Sequence, residues 1–256
     1  MRNDLPRTRE IAARLDVLAE SGSTNAELRS RAANPEDWPH LSVLLTDNQT
    51  AGRGRLDRTW LAPAGSALAI SVLLRALPAN PTARGWIPLL AGVAMADAIA
   101  AQLPDQHVAV KWPNDVLVDE RKICGILAEA SGDAVVVGSG VNTAMTAQQL
   151  PVTTATSFAV AGVTVDDDRL IADYLRELGS RLSALAATGD AVVSGLHAAV
   201  TARCATLGRR VRVSLPGDQT LDGLATGLDA DGRLLVDVDG VVRAISAGDV
   251  VHVRPA

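Results

Sequence analysis

VAVKWPNDVLVDERKICGILAEASGDAVVVG, residues 108–138, holds four strand-forming runs, Val108–Trp112, Val116–Val118, Ile123–Ala130 and Ala134–Gly138. Each is rich in apolar and β-branched residues and is bounded by turn formers. Only three or four residues separate one run from the next, whereas a crossover between parallel strands needs about a dozen or more. Strands joined so tightly run antiparallel. Outward from this block, further strands are expected at Asp16–Leu18, Leu41–Thr46 and Ala67–Leu74, and helices at Asn25–Ala33, Arg84–Gln102, Asp167–Ala186 and Ala191–Arg203. Thr24-Asn25-Ala26-Glu27 reads as a capping box opening the first helix. The fold expected is α+β, a mixed, mostly antiparallel sheet with helices packed on it. After Leu207 the chain becomes Val-rich runs broken by Pro216-Gly217-Asp218, Asp231-Gly232 and Asp239-Gly240, each a strong turn signal. A small all-β module is expected there, dividing the chain into residues 1–206 and 207–256.

The chain has 256 residues, 48% hydrophobic and 21% charged, which suits one large domain with a small appendage and excludes disorder. Met1–Glu10 lacks the apolar run of a signal peptide. Ile87–Leu103 is interrupted by Asp97 and Gln102 and reads as a core helix, not a membrane span. Cys124 and Cys204 make neither a disulfide framework nor a metal spacing, as expected of a cytoplasmic protein. A net charge of −5 argues against a general nucleic-acid binder. Of the 24 Lys and Arg residues only Lys111 and Lys122 are lysines. In a chain that otherwise uses Arg for positive charge, they mark places where a compact charge on a flexible stem is needed.

Three stretches carry chemistry. Asn48–Trp60 lies between strands and contains Gly52, Gly54, Arg53, Arg55 and Arg58. Glycines let backbone approach a ligand and Arg forks match carboxylate or phosphate oxygens, so the stretch reads as an anion clamp or, more simply, a solvated basic loop. Trp60 offers a stacking surface for a base, or fills a gap in the core. Lys111-Trp112-Pro113-Asn114-Asp115 ends a strand, and a hairpin would return Lys122 to the same end of the sheet. Two ammonium groups there could neutralise a carboxylate and a phosphate that must meet; Pro113-Asn114-Asp115 alone would be an ordinary turn. Val137–Asn142 is a Gly-rich strand end that permits close backbone approach.

In order and spacing these stretches resemble the catalytic domain of biotin protein ligases. The matching elements are Ser23-Thr24-Asn25, Gln49 with Gly52-Arg53-Gly54-Arg55, Lys111–Asp115, Arg121-Lys122 with Gly125-Ile126-Leu127, and Gly138–Asn142. The module after Leu207 resembles that family's C-terminal domain. The resemblance implies a class II synthetase-like catalytic fold followed by a small SH3-like barrel. It also implies formation of biotinyl-adenylate from biotin and ATP with Mg2+, and transfer of biotin to a lysine of a biotin carboxyl carrier domain. By the resemblance, Ser23, Thr24, Asn25, Gln49, Gly52, Gly54, Trp112, Gly125, Gly138 and Gly140 surround biotin. Arg53 and Arg55 close over carboxylate and phosphates, and Lys122 bridges the biotin carboxylate and α-phosphate. Arg58, Trp60, Lys111, Asn114 and Asn142 serve the nucleotide. Asp115 accepts or orients the carrier amine, and no metal ligands are assigned. Ser139 stands where a larger apolar residue is usual and Cys124 where Ala is usual, which puts the pocket's shape in question. About twenty residues precede the first motif, too few for the helix-turn-helix domain of many members, so the ligase alone is expected. A lipoate ligase is the nearest alternative, and a biotin-sensing transcription factor or binding module the alternative of another class.

Overall fold

The computed structural model describes residues 4–55, 58–215, 219–246 and 248–253; the turn Pro216-Gly217-Asp218 lies outside them. The first part of the chain runs α1 (Pro6–Ile11), β1 (Arg14–Val17), α2 (Thr24–Arg31), β2 (Ser42–Thr46), β3 (Gly52–Arg53), β4 (Thr59–Trp60) and β5 (Ala67–Leu74). A 3-10 turn (Pro81–Trp86) leads into α3 (Ile87–Ala100), followed by β6 (Val108–Lys111), β7 (Asp115–Val118), β8 (Arg121–Ser131), β9 (Ala134–Asn142), α4 (Asp167–Thr188) and α5 (Leu196–Arg203). Seven strands form one sheet in the order β1-β2-β5-β9-β8-β7-β6. Every neighbouring pair is antiparallel except β1 with β2. The run β6 to β9 is the expected meander.

Period-two alternation sorts each central strand between two faces. On β5, Leu68, Ile70, Val72 and Leu74 join the larger core with α3 and α4, while Leu73 packs under α2 with Leu28, Trp38 and Val136. Both faces are covered, so all eight residues of β5 are buried and no polar alternation marks it. Residues 81–100 are apolar and long enough to cross a membrane by composition. In the fold α3 is a core helix against α4 and the sheet.

Several boundaries differ from the sequence reading, for local reasons. Ser23, not Thr24, caps α2, its hydroxyl accepting from the Ala26 amide, and Glu27 bonds Ser21 Oγ and Arg31 instead of closing a capping box. Leu41 has φ +63°, so β2 starts one residue later. The helix expected from Arg84 begins at Ile87, because Pro81–Trp86 is wound as 3-10. The one expected from Ala191 begins at Leu196, after Gly195 in the left-handed region. Helix α1 was not expected; its Thr8 is held to α4 through Asp168, whose Oδ1 accepts from the Thr8 amide at 2.9 Å and hydroxyl at 2.8 Å.

The second sheet comprises β10 (Arg210–Leu215), β11 (Gln219–Leu228), β12 (Leu234–Val238), β13 (Val241–Ile245) and β14 (Asp249–His252). Its order is β13-β12-β11-β10-β14, antiparallel throughout. Asp239-Gly240 makes the tight turn it signals, with both residues at positive φ. Two indoles seat this sheet on the first part: Trp112 Nε1 donates to Gly232 O at 3.0 Å and Trp86 Nε1 to Ala230 O at 2.8 Å.

At the same junction His252 Nε2 lies 3.2 Å from Thr206 Oγ1. Burial, then Lys111 and Arg209, push the His252 pKa down to about 4, against 6.5 for a free imidazole. Between those values the unfolded chain binds a proton that the folded chain refuses, so stability falls as pH drops from about 6.5 towards 4. The thermal midpoint of His252→Gln is expected to decline less over that window than the parent's. Parallel declines would show that His252 binds its proton equally well in the folded and the unfolded chain.

Candidate active site

Alternation also builds the pocket. On the α2 side of the sheet, β5 presents Ala69 and Ser71, β9 presents Gly138 and Gly140, and β8 presents Gly125. With so little side chain there, a trough opens between the sheet and residues 49–55 and 58–60, lined at its edges by Thr24, Arg53, Arg55, Lys122 and Asp115. The glycines are required by close approach. A Cβ on Gly138 would collide with the Asn25 amide, and one on Gly140 would come within 2.7 Å of the Trp60 ring. Gly52 stands beside the trough, and a Cβ there would collide with the Gln49 amide.

One end of the trough is a neutral polar cluster. Gln49 Oε1 accepts from the Thr24 amide at 2.9 Å. Asn25 Nδ2 donates to Leu127 O at 3.1 Å and to Glu129 at 2.9 Å. Ser71, which no sequence motif pointed to, lies beneath both Thr24 and Asn25. Only the strand period, placing Ser71 on the face of Ala69 and Leu73, could have marked it.

The other end is charged. Lys122 Nζ sits 2.6 Å from Asp115 Oδ1. Arg55 donates to Asn114 Oδ1 at 3.1 Å and to Gly248 O at 3.3 Å. Asn114 is itself fixed by donating to Ile126 O at 2.6 Å. Arg58 pairs with Asp249 of β14, so the second sheet supplies a carboxylate to this end. Burial lowers the Arg55 pKa, opposed by Asp115. Lys111 is lowered mainly by burial, then by Lys122 and Arg58, with Asp115 opposing. The register places Lys111 opposite Asp115 at one end of β7 and Lys122 opposite Leu117 at the other, so the hairpin does not bring the two lysines to one strand end as expected; the Lys122 side chain instead reaches back over Gly125 to Asp115. The arrangement can receive an elongated molecule with a polar neutral head and a carboxylate tail, and can place anionic groups against that tail.

Most residues singled out from sequence line this trough: Ser23, Thr24, Asn25, Gln49, Arg53, Gly54, Arg55, Arg58, Trp60, Asn114, Asp115, Lys122, Gly125, Gly138 and Gly140. Four do not. Trp112 is 2% exposed and bonded to Gly232, so it joins the two sheets and does not touch a ligand in the trough. Lys111 opens onto an adjoining groove that shares Asp115 and Lys122 with the trough. Asn142 is buried, donating to Thr156 O at 2.9 Å, and Gly52 acts through Gln49. The doubts attached to Ser139 and Cys124 are resolved by direction. Ser139 donates to Tyr174 Oη at 3.0 Å on the helix side of the sheet, and Cys124 lies in the core on that same side. Ser139 borders the trough with its hydroxyl turned away, and Cys124 is not among the residues lining it.

The stem of Lys122 runs over Gly125, where a Cβ would stand 3.0 Å from Nζ and 3.2 Å from Cε. Gly125→Ala is therefore expected to fold normally, because a flexible lysine tip yields, but to slow catalysis at the trough roughly tenfold or more by displacing the ammonium. Activity equal to the parent's would mean that the lysine position is not tightly set.

Comparison with known proteins agrees with this geometry. Residues 19–142 match the Biotin/lipoate A/B protein ligase family, and residues 206–253 match the Biotin protein ligase C terminal domain. The chain is 41% identical to the biotin--[acetyl-CoA-carboxylase] ligase of Mycobacterium tuberculosis, over 94% of this chain and 89% of that protein. It is 33% identical to the ligase of the same name from Paracoccus denitrificans, over 91% and 98% respectively. Among solved structures, the Aquifex aeolicus biotin protein ligase in complex with biotin and ATP superposes with a TM-score of 0.77 at 26% identity, covering 95% of this chain and 100% of that one. The Leishmania major enzyme in complex with biotinyl-5-AMP gives 0.62 at 26% identity, covering 92% and 99%. Matched in sequence and in fold along nearly its whole length, the chain belongs to the biotin protein ligase family.

Proposed function

We propose that the trough binds biotin and the α-phosphate of ATP, forms biotinyl-5'-AMP, and passes the biotinyl group to a lysine of a biotin carboxyl carrier domain. The observation that carries the site assignment is the glycine-floored trough with Thr24 and Gln49 at one end and the Lys122–Asp115 pair at the other. The ureido head lies against Ser23, Thr24 and Gln49, and the acyl chain runs over Gly138, Gly140 and Gly125. Lys122 and Arg55 neutralise the carboxylate and phosphate, whose mutual repulsion is the main electrostatic obstacle. A carboxylate oxygen attacks the α-phosphorus, the bond to the β-phosphate breaks, and pyrophosphate leaves. Arg53, Arg58, Trp60, Lys111, Asn114 and Asn142 are assigned to the nucleotide. Lys111 fits the departing phosphates through the adjoining groove, and Asn142 acts by fixing the strand end near Thr156.

In the second step the carrier amine attacks the acyl carbon and AMP leaves. Asp115, already the acceptor of an ammonium at 2.6 Å, is the group placed to take the proton. Mg2+ arrives as MgATP. Among the described residues no three His, Cys, Asp or Glu side chains cluster to hold a metal, and no metal ligands are assigned. The division at 206/207 is supported by the start of the second sheet at Arg210. A cytoplasmic site of action is supported by the two buried, unpaired cysteines.

The test combines the protein with biotin, MgATP and a carrier domain. One biotinyl group is expected on one lysine, together with biotin-dependent pyrophosphate exchange. Exchange with lipoate in place of biotin would reassign the acid.

A further inference from the structure

Thr24, Asn25, Ser71 and Gln49 make a small network in which every proton can be assigned. Asn25 Nδ2 faces two acceptors, Leu127 O and a Glu129 carboxylate oxygen, so the amide is fixed with its oxygen towards Ser71. Ser71 Oγ lies 2.6 Å from that oxygen and 2.8 Å from Thr24 Oγ1. An amide oxygen can only accept, so the single Ser71 proton goes to Asn25. The Ser71 oxygen can then only accept from Thr24, and at 2.8 Å it is the nearer of two acceptors for the Thr24 proton. The other, Gln49 Oε1 at 3.1 Å, competes for that proton over the longest contact of the network. Gln49 Oε1 already accepts from the Thr24 amide, which favours Ser71 as the acceptor and excludes the flipped Gln49 amide. Ser71 is 0% exposed, so its hydroxyl is shut off from the solvent of the trough that Thr24 lines.

We propose that Ser71 is a positioning residue for substrate choice: it holds the Thr24 hydroxyl proton away from the trough, so that Thr24 offers only lone pairs there and selects an acid whose head group carries an N–H donor. This rests on reading the trough as the biotin site. A hydroxyl free to rotate would donate to an ether oxygen as readily as it accepts from N–H. A committed hydroxyl leaves such an oxygen facing a lone pair, and discrimination built on an unmade buried hydrogen bond is large.

The experiment measures binding and adenylate formation with biotin and with its cyclic carbamate analogue, in which one ring N–H is replaced by oxygen. The parent protein is expected to prefer biotin by roughly 100-fold or more. In Ser71→Ala the Thr24 hydroxyl loses its nearer acceptor and keeps only the longer contact to Gln49 Oε1, so its proton can turn to the trough; the preference is expected to narrow at least tenfold or so, with the loss falling on KM for biotin and not on kcat. Ser71→Thr, which keeps the hydroxyl, is expected to restore the preference, and Ser71→Cys, a weak donor of similar size, to narrow it even if the Ala variant folds poorly. Weakening of both acids in equal proportion in Ser71→Ala and Ser71→Cys would show that Ser71 only fills space and would overturn the proposal. Thr24→Val separates the two readings. If it binds biotin like the parent, the trough is not the biotin site and the proposal falls with it; if it loses biotin while the Ser71 variants keep full discrimination, only the role of Ser71 is wrong.

Discussion

Adenylate formation is expected to fall by roughly 100- to 1,000-fold in Lys122→Ala, and by a similar factor in Lys122→Arg, with little change in melting temperature. The two halves of this expectation come from different features of one contact. The Lys122–Asp115 pair is 2.6 Å long, but the lysine side chain is 44% exposed, and pairs so open to water contribute about 1 kcal/mol or less to folding. Its worth lies in where it holds a positive charge. The stem passes close over Gly125, with the ammonium beside Asp115, and a guanidinium is wider and planar and spreads its charge over a fork where the lysine holds it at one point. Lys111→Arg is expected to cost less, because Lys111 lies in the adjoining groove. Pyrophosphate exchange and a thermal melt on the three variants decide the matter. Normal exchange by Lys122→Arg would remove the argument for a compact charge.

The second large effect is one of containment. Arg55→Gly is expected to keep forming biotinyl-adenylate yet release it, so that biotin appears on lysines of unrelated bystander proteins. Arg55 ties the segment over the trough both to Asn114 and to the backbone of Gly248 in the second sheet. Removing it deletes two of the contacts that hold the segment over the trough, the Arg58–Asp249 pair remaining, while leaving Lys122 and the glycine floor in place. Affinity lost in this way is read mainly as faster dissociation, and a freed acyl-phosphate reacts with water or any nearby amine. The measurement is bystander labelling alongside adenylate synthesis. Synthesis without labelling would show that Arg55 does not retain the intermediate.

Much of this fold is legible in residues 108–138, where strand runs and short turns leave only an antiparallel meander. The errors fall where local signals compete. Ser23 and Thr24 are both good caps, and the contact of Glu27 with Ser21 and Arg31 decides between them. Trp112 sits in the middle of a motif whose neighbours line the site, but strand alternation turns its ring to the opposite face and into the seam between the sheets. Ser71 is the reverse case, a serine inside an apolar strand whose importance depends on a helix 46 residues away in sequence. The Arg58–Asp249 contact spans 191 residues, a separation at which no local pattern carries information.

The floor of the trough sets the direction in which this enzyme can change. At Gly125, Gly138 and Gly140 the surface presented to the ligand is main chain, already committed to the ladders between β5, β9 and β8. Every substitution at a glycine adds atoms, so mutation there can only shrink the volume available. A variant that accepts a bulkier acid must therefore arise in the walls, by trimming the segment over the trough or rearranging the polar end, while the floor passes unchanged between enzymes of differing substrate.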